Sequence, residues 1–343
     1  MKNKFYLFIV FFSLYLVSSC KKDSQPQEQK RVIQQSHSLE GGLKDFSISG
    51  ELLAANIDTI TNTITAIIPD SANQHKLTIS LEVAAGVTAT INNASIGNSS
   101  VADFTQPVVL TVSSSDKQRS TSFKITIEIE SVYIGFDGPV LAAKSLNKNY
   151  NFYFDQMDGS SFQSVNCGPA AGAMAVKWAD PAFTGSPADA RAEILPQGEQ
   201  WTLTDIKIYI QQKHIDAVSM PLGNIDSLVK TNIDNNQPVI FLINIWGIPY
   251  NPISYQHVSK FYQSGDDGHF ILVKGYKQTA TTFYLEVYDP FSNGERYTGL
   301  DYGQIKGQDR YYIDKDVYHA AEEIEPNFLV VAPKGKKIMA SIK

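Results

Sequence analysis

Cysteine is scarce in this chain, which has two among 343 residues, Cys20 and Cys167. Two cysteines cannot build a cysteine-rich structural zinc site, and the six histidines lack the spacing of metal ligands. No glycine-rich phosphate loop follows a strand-like segment. The net charge is −6 and lysine clusters only at residues 334–337, so the chain has no electrostatic footprint for nucleic acid. We therefore expect no metal, no cofactor and no nucleic-acid partner.

The N-terminus has the pattern of an export signal. Lys2 and Lys4 precede an apolar run at residues 5–17, which is too short to span a bilayer comfortably. This pattern predicts a signal peptide over residues 1–19. The polar composition that follows predicts a flexible tether over residues 20–44.

The end of the signal, Val-Ser-Ser-Cys closing at Cys20, resembles the lipobox of bacterial lipoproteins. The resemblance implies that Cys20 carries a lipid that anchors the exported chain to the bacterial cell envelope, at the outer membrane or the cell surface. An ordinary secreted protein is the alternative. Structural cysteines are normally paired in oxidising compartments. Lipid on Cys20 would leave Cys167 without a disulfide partner, which makes Cys167 a candidate nucleophile.

Residues 45–131 have the pattern of an all-β domain. Apolar and polar residues alternate in segments rich in Thr, Ile and Val, at residues 46–49, 63–68, 76–83, 88–91, 108–112 and 122–129. Turn residues separate these segments, which predicts a β-sandwich. Residues 67–69, 103–108 and 123–127 resemble the immunoglobulin-like repeats of bacterial surface lipoproteins. The resemblance implies an immunoglobulin-like module that spaces or binds.

The remainder has a mixed pattern. We predict a linker over residues 132–150, with a short helix at 141–145, an α+β domain over 151–333 and a tail over 334–343. Helices are expected at residues 167–178, 188–194, 202–213 and 224–233, and strands at 238–246, 269–276, 283–289 and 309–313. Helices first and strands second indicate an α+β arrangement.

Cys167 is expected at the start of the first of these helices. Gly168 and Pro169 follow it, and proline favours the first turn of a helix. Unpaired amides and the helix dipole favour negative charge at that end, which suits a thiolate. The alternative is a buried, inert cysteine.

A nucleophilic thiol needs a base, and His269 is the candidate because it opens a strand that forms a hairpin with residues 283–289. A turn centred between Thr279 and Ala280 would place His269 opposite Pro290. A shift of one residue would place it opposite Asp289, where a carboxylate could orient the ring. The alternative is an ordinary Asp-Pro turn.

Three motifs together resemble the papain-like cysteine peptidases, and most closely the bacteriocin-leader (double-glycine) peptidases. They are Cys-Gly-Pro-Ala from Cys167, Gly-His before an aliphatic strand at His269, and Asp-Pro at Asp289, within residues 151–315. The resemblance implies that Cys167 is the nucleophile, His269 the general base and acid, and Asp289 the orienting residue. It also implies an oxyanion-hole glutamine upstream of Cys167. Gln163 is the candidate at a spacing shorter than the family's, and Gln156 is farther back than usual.

The function implied is a membrane-anchored cysteine peptidase acting on a peptide or protein substrate through a thioester acyl-enzyme. An amidase or acyltransferase on cell-wall amides would use the same groups. A catalytically silent surface adhesion or ligand-binding lipoprotein is a further alternative. The tyrosines of the long loop at residues 247–257 could line a substrate cleft or pack on the surface.

Overall fold

The computed structural model describes residues 42–338. Its first body is built of nine strands and no long helix. These are β1 (Leu43–Ile48), β2 (Leu53–Asp58), β3 (Thr63–Ile68), β4 (Leu77–Val83), β5 (Val87–Ile91), β6 (Ala94–Ile96), β7 (Ser99–Ala102), β8 (Val108–Ser114) and β9 (Ser120–Ile129). They form a three-stranded sheet in the order β1-β4-β7 and a six-stranded sheet in the order β2-β3-β9-β8-β5-β6. The pairing is antiparallel except between β3 and β9.

Alternation along the strands builds one core between these two sheets. In β8, Val108 and Leu110 are buried while Val109 is 40% exposed. Phe46 of the small sheet and Phe123 of the large sheet belong to the same buried cluster. The all-β prediction is confirmed, whereas the immunoglobulin-like topology stays a prediction. The strands β2, β6 and β7 were not predicted, because they are short or lack alternating β-branched residues.

Residues 132–150 contribute to the second body. A short helix, α1 (Glu130–Tyr133), is followed by buried Ile134 and Phe136. The predicted helix at residues 141–145 is wrong, because this segment is strand β10 (Ala142–Ser145). Its local helix preference is overridden since pairing with a longer strand satisfies its backbone groups.

The second body has five further helices and six further strands. The helices are α2 (Cys167–Ala179), α3 (Pro187–Glu193), α4 (Leu203–Gln212), α5 (Ile225–Asp234) and α6 (Asp314–Glu322). The strands are β11 (Ala217–Pro221), β12 (Val239–Asn244), β13 (Gly268–Gln278), β14 (Phe283–Tyr288), β15 (Arg310–Ile313) and β16 (Asn327–Val331). The four helices and four strands predicted from the sequence are confirmed. The expected order of helices before strands is wrong, because β11 precedes α5 and α6 follows β15.

These strands form an antiparallel sheet in the order β11-β16-β12-β13-β14-β15, and β10 also pairs with β13. Helix α2 packs beside β13 through small residues. A Cβ on Gly168 would lie 2.7 Å from Trp201 Cβ, so only glycine fits there. The same Cβ would lie 3.4 Å from a ring carbon of Phe270 in β13, so the start of α2 lies close to the end of β13 that carries His269.

The β13–β14 hairpin differs from its predicted register. The turn covers residues 279–282, with the Thr279 amide donating to the Thr282 carbonyl at 3.0 Å, and β13 carries a bulge at Lys274. Leu272 pairs with Tyr288, so the register continues with Asp289 opposite Ile271 rather than His269. The predicted turn was one residue too early.

The predicted signal peptide, Cys20 and most of the tether lie outside the described residues, as does the end of the tail. Within residues 42–338, the helices are too short or too polar to cross a membrane.

Candidate active site

Cys167 is the first residue of α2 and the free cysteine of the described part of the chain. Asn166 precedes it as the N-cap residue, but its side chain makes no capping hydrogen bond. Pro169 has no amide hydrogen and the Ala170 amide donates to the Asn166 carbonyl at 2.9 Å, so the Cys167 and Gly168 amides are the ones open to other partners. The thiol is partly exposed in a cleft of about 200 Å³.

His269 and Asp289 form a buried pair. His269 Nε2 lies 2.7 Å from Asp289 Oδ1, and the side chains are 9% and 0% exposed. Burial lowers the pKa of His269, but the Asp289 charge, the Asp289 hydrogen bond and a hydrogen bond with Cys167 outweigh it and raise this pKa to about 10. Because Nε2 faces Asp289, Nδ1 is the ring nitrogen left for the thiol.

Asp289 is held by donors on both oxygens. Oδ1 accepts from His269 and from the Phe291 amide at 2.9 Å, and Oδ2 accepts from Tyr262 Oη at 2.9 Å and Tyr312 Oη at 2.5 Å. Burial raises the pKa of this carboxyl, but the His269 charge and hydrogen bonds from His269, Tyr312 and Phe291 hold it below its usual value. The carboxylate is thus ionised and fixed in orientation.

The two candidate glutamines lie in one loop before Cys167. Gln163 Oε1 accepts from the Gly159 amide at 2.9 Å. Gln156 is 3% exposed, its Nε2 donates to the Gln163 carbonyl at 3.2 Å, and its Oε1 has no hydrogen-bond partner. The Gln156 backbone amide donates to the Pro290 carbonyl at 2.7 Å, which places Gln156 next to Asp289.

The cleft at Cys167 has apolar walls and a polar rim. Its other lining residues are Ser164, Val165, Gln200, Trp201, Leu242, Asp267, Gly268, Phe270 and Ile324. No residue of the loop at 247–257 lines it. Instead, Tyr255 stacks on Tyr133 at 4.4 Å between ring centroids, and His257 stacks on Tyr297 at 3.8 Å. Of the two alternatives for the loop tyrosines, surface packing applies to Tyr255, and Tyr250 is 46% exposed outside this cleft.

The remaining histidines of the described part lie elsewhere. His75 is exposed in the first body, His214 follows α4 and His319 lies in α6. No group of three His, Cys, Asp or Glu side chains between residues 42 and 338 is arranged to hold a metal ion.

Sequence reasoning missed Tyr262, Tyr312 and Arg191. The two tyrosines reach Asp289 from different segments, and Arg191 donates from α3 to the residue before Cys167. The alternation of Tyr311 and Tyr312 along β15 predicts that one faces each side of the sheet, but nothing in the sequence identifies Asp289 as the partner.

The comparison with family models addresses the first body. The family described as SGBP, N-terminal, matches residues 43–127, well under half of the chain. No curated protein matches the sequence.

Three solved structures have low similarity to the chain. A C39-like peptidase of Bacillus anthracis is 15% identical, covers 56% of this chain and 99% of its own, and has a TM-score of 0.37. Procathepsin L 3 of the Tenebrio molitor larval midgut is 12% identical, covering 58% and 72%, with a TM-score of 0.37. A secreted protein of Bacteroides fragilis is 18% identical, covering 25% and 71%, with a TM-score of 0.19.

Proposed function

We propose that this chain is an exported cysteine peptidase that hydrolyses peptide bonds through Cys167, His269 and Asp289. The carrying observation is the buried contact of 2.7 Å between His269 Nε2 and Asp289 Oδ1, with Cys167 at the start of α2 near enough to the same ring to help raise the pKa of His269. A thiol, an imidazole and a carboxylate in this relation suit nucleophilic catalysis.

In the proposed reaction, His269 Nδ1 takes the thiol proton and the Cys167 sulfur attacks the carbonyl carbon of the substrate. The carbonyl π electrons move to its oxygen as the carbon–sulfur bond forms. When the tetrahedral intermediate collapses, the carbon–nitrogen bond breaks and His269 gives its proton to the leaving amine. A thioester remains on Cys167. His269 then takes a proton from water, whose oxygen attacks the thioester carbon. Collapse of this second intermediate breaks the carbon–sulfur bond, releases the acid product and leaves the Cys167 thiolate beside protonated His269, the pair that begins the next turnover.

The developing oxyanion needs preorganised donors. The first is a backbone amide at the start of α2, where helix geometry leaves amides unpaired. For the second we assign Gln156 rather than Gln163. Gln156 is buried beside Pro290 and holds a second N–H of its side-chain amide, whereas Gln163 Oε1 is engaged by the Gly159 amide on the outer loop.

For the rest of the molecule, we propose a lipid on Cys20 that tethers the chain to the bacterial envelope, at the outer membrane or the cell surface. Residues 45–131 then act as an immunoglobulin-like spacer or binding module, and the match of residues 43–127 to SGBP, N-terminal, supports a surface or secreted location. Replacement of Cys20 by Ser should abolish incorporation of labelled fatty acid and release the chain from membranes.

The test of activity combines turnover with thiol labelling. A peptide mixture is incubated with the protein and with Cys167→Ala, and mass spectrometry identifies new termini. We expect cleavage by the first and none by the second, at equal thermal stability. Products carrying an added amine would indicate acyl transfer, and release from cell-wall fragments alone would indicate an amidase.

Iodoacetamide labelling of the Cys20→Ser variant reports Cys167 alone. We expect rapid alkylation near neutral pH, because a nucleophilic thiol in an open cleft must be reactive there. A Cys167 that resists alkylation near neutral pH, in a chain that cleaves no peptide, would support the silent binding protein instead.

A further inference from the structure

Arg191, in α3, is a buried cation without a carboxylate partner. It is 3% exposed, and no ion pair within residues 42–338 includes it. Lys274 is equally buried, but its Nζ lies 2.5 Å from Glu286 and 2.7 Å from Asp309. A buried charge is normally paired, because removing it from water is unfavourable. A nearby anion or a full set of hydrogen bonds must therefore compensate the burial of Arg191.

The hydrogen bonds of Arg191 form a tether to neutral oxygens around the start of α2. Arg191 Nε donates to Asn166 Oδ1 at 2.9 Å, and Nη2 donates to the Val165 carbonyl at 2.9 Å. Nη1 donates to the carbonyls of Leu195 at 3.2 Å and Glu199 at 2.5 Å. The guanidinium thus joins the loop at 195–199 to the two residues that precede the nucleophile.

Among the charged groups that act on Arg191, Cys167 has the largest effect on the pKa of the guanidinium. Burial lowers the pKa of the Arg191 guanidinium, and the charges of Cys167, Glu199 and Asp205 oppose this, with Cys167 first. Glu199 offers Arg191 its carbonyl, and Asp205 caps α4 by bonding to Thr202. Neither carboxylate is bonded to the guanidinium, whereas two of its hydrogen bonds go to the residues that directly precede Cys167.

The cleft wall gives a second contact with the same region. The Arg191 Cζ atom lies 5.7 Å from the centroid of the Trp201 ring, and Trp201 lines the cleft that holds Cys167. The cation is therefore behind this wall, shielded from bulk water. Charge interactions in such a place are screened less than at the surface.

We propose that Arg191 is a positioning residue for Cys167: its positive charge stabilises the thiolate, and its planar fork fixes residues 165–166 so that the amides of α2 face the cleft. The inference rests on the proposed function, in which Cys167 acts as a thiolate. It differs from the role of His269, because Arg191 transfers no proton. His269 supplies a mobile proton and Arg191 a permanent charge.

Three substitutions in the Cys20→Ser background separate charge from tether. Arg191→Met and Arg191→Gln both remove the charge. Glutamine keeps an amide donor, so the glutamine variant provides the measurement if the methionine variant fails to fold. Arg191→Lys keeps the charge and loses the fork. Arg310→Gln is the control, because Arg310 is also buried and bonds to neutral oxygens of residues 256, 258 and 259, none of which lines the cleft.

The readout is the pH midpoint of Cys167 alkylation by iodoacetamide. We expect the two neutral variants to raise the midpoint by about one pH unit, since a nearby opposite charge shifts an ionisation by that order. Arg191→Lys and Arg310→Gln should stay within a few tenths of a unit of the parent. A merely structural role would lower the rate in all three Arg191 variants without moving the midpoint of any.

Two outcomes would overturn the inference: unchanged midpoints in both neutral variants, or an equal shift in Arg191→Lys. Failure of the proposed function has a different signature. In that case the parent itself would alkylate like an ordinary thiol, and peptide cleavage would be absent.

Discussion

Each of the two bodies contains a histidine–aspartate pair, and the two pairs differ in their surroundings. In the first body, His75 Nδ1 lies 3.2 Å from Asp103 Oδ2, with side chains 70% and 55% exposed. In the second, His269 and Asp289 approach to 2.7 Å with side chains 9% and 0% exposed. Exposed pairs contribute little because water competes for both partners. An imidazole and a carboxylate are therefore suited to catalysis only where burial and further hydrogen-bond donors fix their positions.

The contrast extends to the whole of each body. Every buried polar or charged side chain of the described residues lies at Ser131 or later, and the first body buries apolar side chains alone. Buried polar groups need partners, which restricts both sequence and geometry. The core of the first body is therefore purely apolar, whereas the core of the second body also holds charged and polar side chains in fixed positions.

The largest effect should come from removing the buried carboxylate. Asp289→Ala leaves His269 without its orienting partner and should lower kcat/KM by about 10³-fold, whereas Asp103→Ala in the exposed pair should change it less than twofold. Steady-state hydrolysis of one peptide by both variants makes the measurement. Comparable losses in the two would mean that the burial contrast has no bearing on activity.

The charge of Asp289 can be separated from its shape with Asp289→Asn. The raised pKa of His269, about 10, means that its proton and the stability linked to it are lost as pH rises through that value. The alkaline limb of kcat/KM should therefore lie near pH 10 in the parent. Without the carboxylate charge the pKa of His269 falls, so the limb should move to lower pH in the asparagine variant.

Local sequence patterns predicted the parts of this site that one segment determines. Proline in the first turn of α2 predicts a helix with Cys167 at its start, and α2 begins at Cys167. The β13–β14 hairpin was also predicted, because two runs rich in aliphatic and aromatic residues flank a short polar turn. In each case the interactions that stabilise the element lie within a few residues of it.

What depends on distant segments was not predictable. The segment at residues 141–145 becomes β10 because β13 offers it an edge, and the bulge at Lys274 alters the register that leads to Asp289. Tyr262 and Arg191 reach the site from a loop and a helix that the sheet order brings near. Propensity and periodicity hold no information on such distances.

A second effect, smaller than that of Asp289, should distinguish the two glutamines. Gln156→Ala removes the donor that we assign to the oxyanion and should lower kcat by about 10²-fold with little change in KM. Gln163→Ala is the matched control in the same loop and should cost less than tenfold. The reverse order would transfer the role to Gln163, and thiol alkylation should be unaffected in both.

The next largest effect should come from removing a tyrosine hydroxyl that donates a hydrogen bond to Asp289. Tyr312→Phe deletes a donor at 2.5 Å from Asp289 Oδ2, so the pKa of Asp289 should rise. Because the stability linked to a lowered carboxyl pKa is lost as pH falls through it, acid unfolding should begin at higher pH in this variant. Turnover at neutral pH should fall by less than tenfold. Tyr311→Phe, one residue away and packed on Phe136, is the control and should leave the acid limb unmoved.

The smallest effect, on the free energy of unfolding, is expected from two aspartates that both stay ionised down to low pH. Burial raises the pKa of Asp137, but hydroxyls of Thr279, Thr281 and Thr282 lower it to about 2, and hydrogen bonds from Thr105 and His75 hold that of Asp103 at about 2. The donors of Asp137 lie in the β13–β14 turn, far along the chain, whereas Thr105 is two residues from Asp103.

A contact between distant segments exists only in the folded chain, so Asp137→Ala should lower the free energy of unfolding by about 1 kcal/mol at pH 7. Asp103→Asn should have a smaller effect, because its local turn can persist after unfolding. Urea titrations at pH 7 and pH 6 should give the same difference, since both lie well above the ordinary aspartate pKa of about 3.9, and the difference should shrink as pH falls from about 4 toward the folded pKa of about 2. Peptide hydrolysis should stay within twofold of the parent in both variants, because neither carboxylate contacts the cleft. Equal destabilisation by the two substitutions would contradict this prediction. It would mean that the turn at residues 279–282 is stabilised by its own local contacts and that Asp137 adds nothing to it.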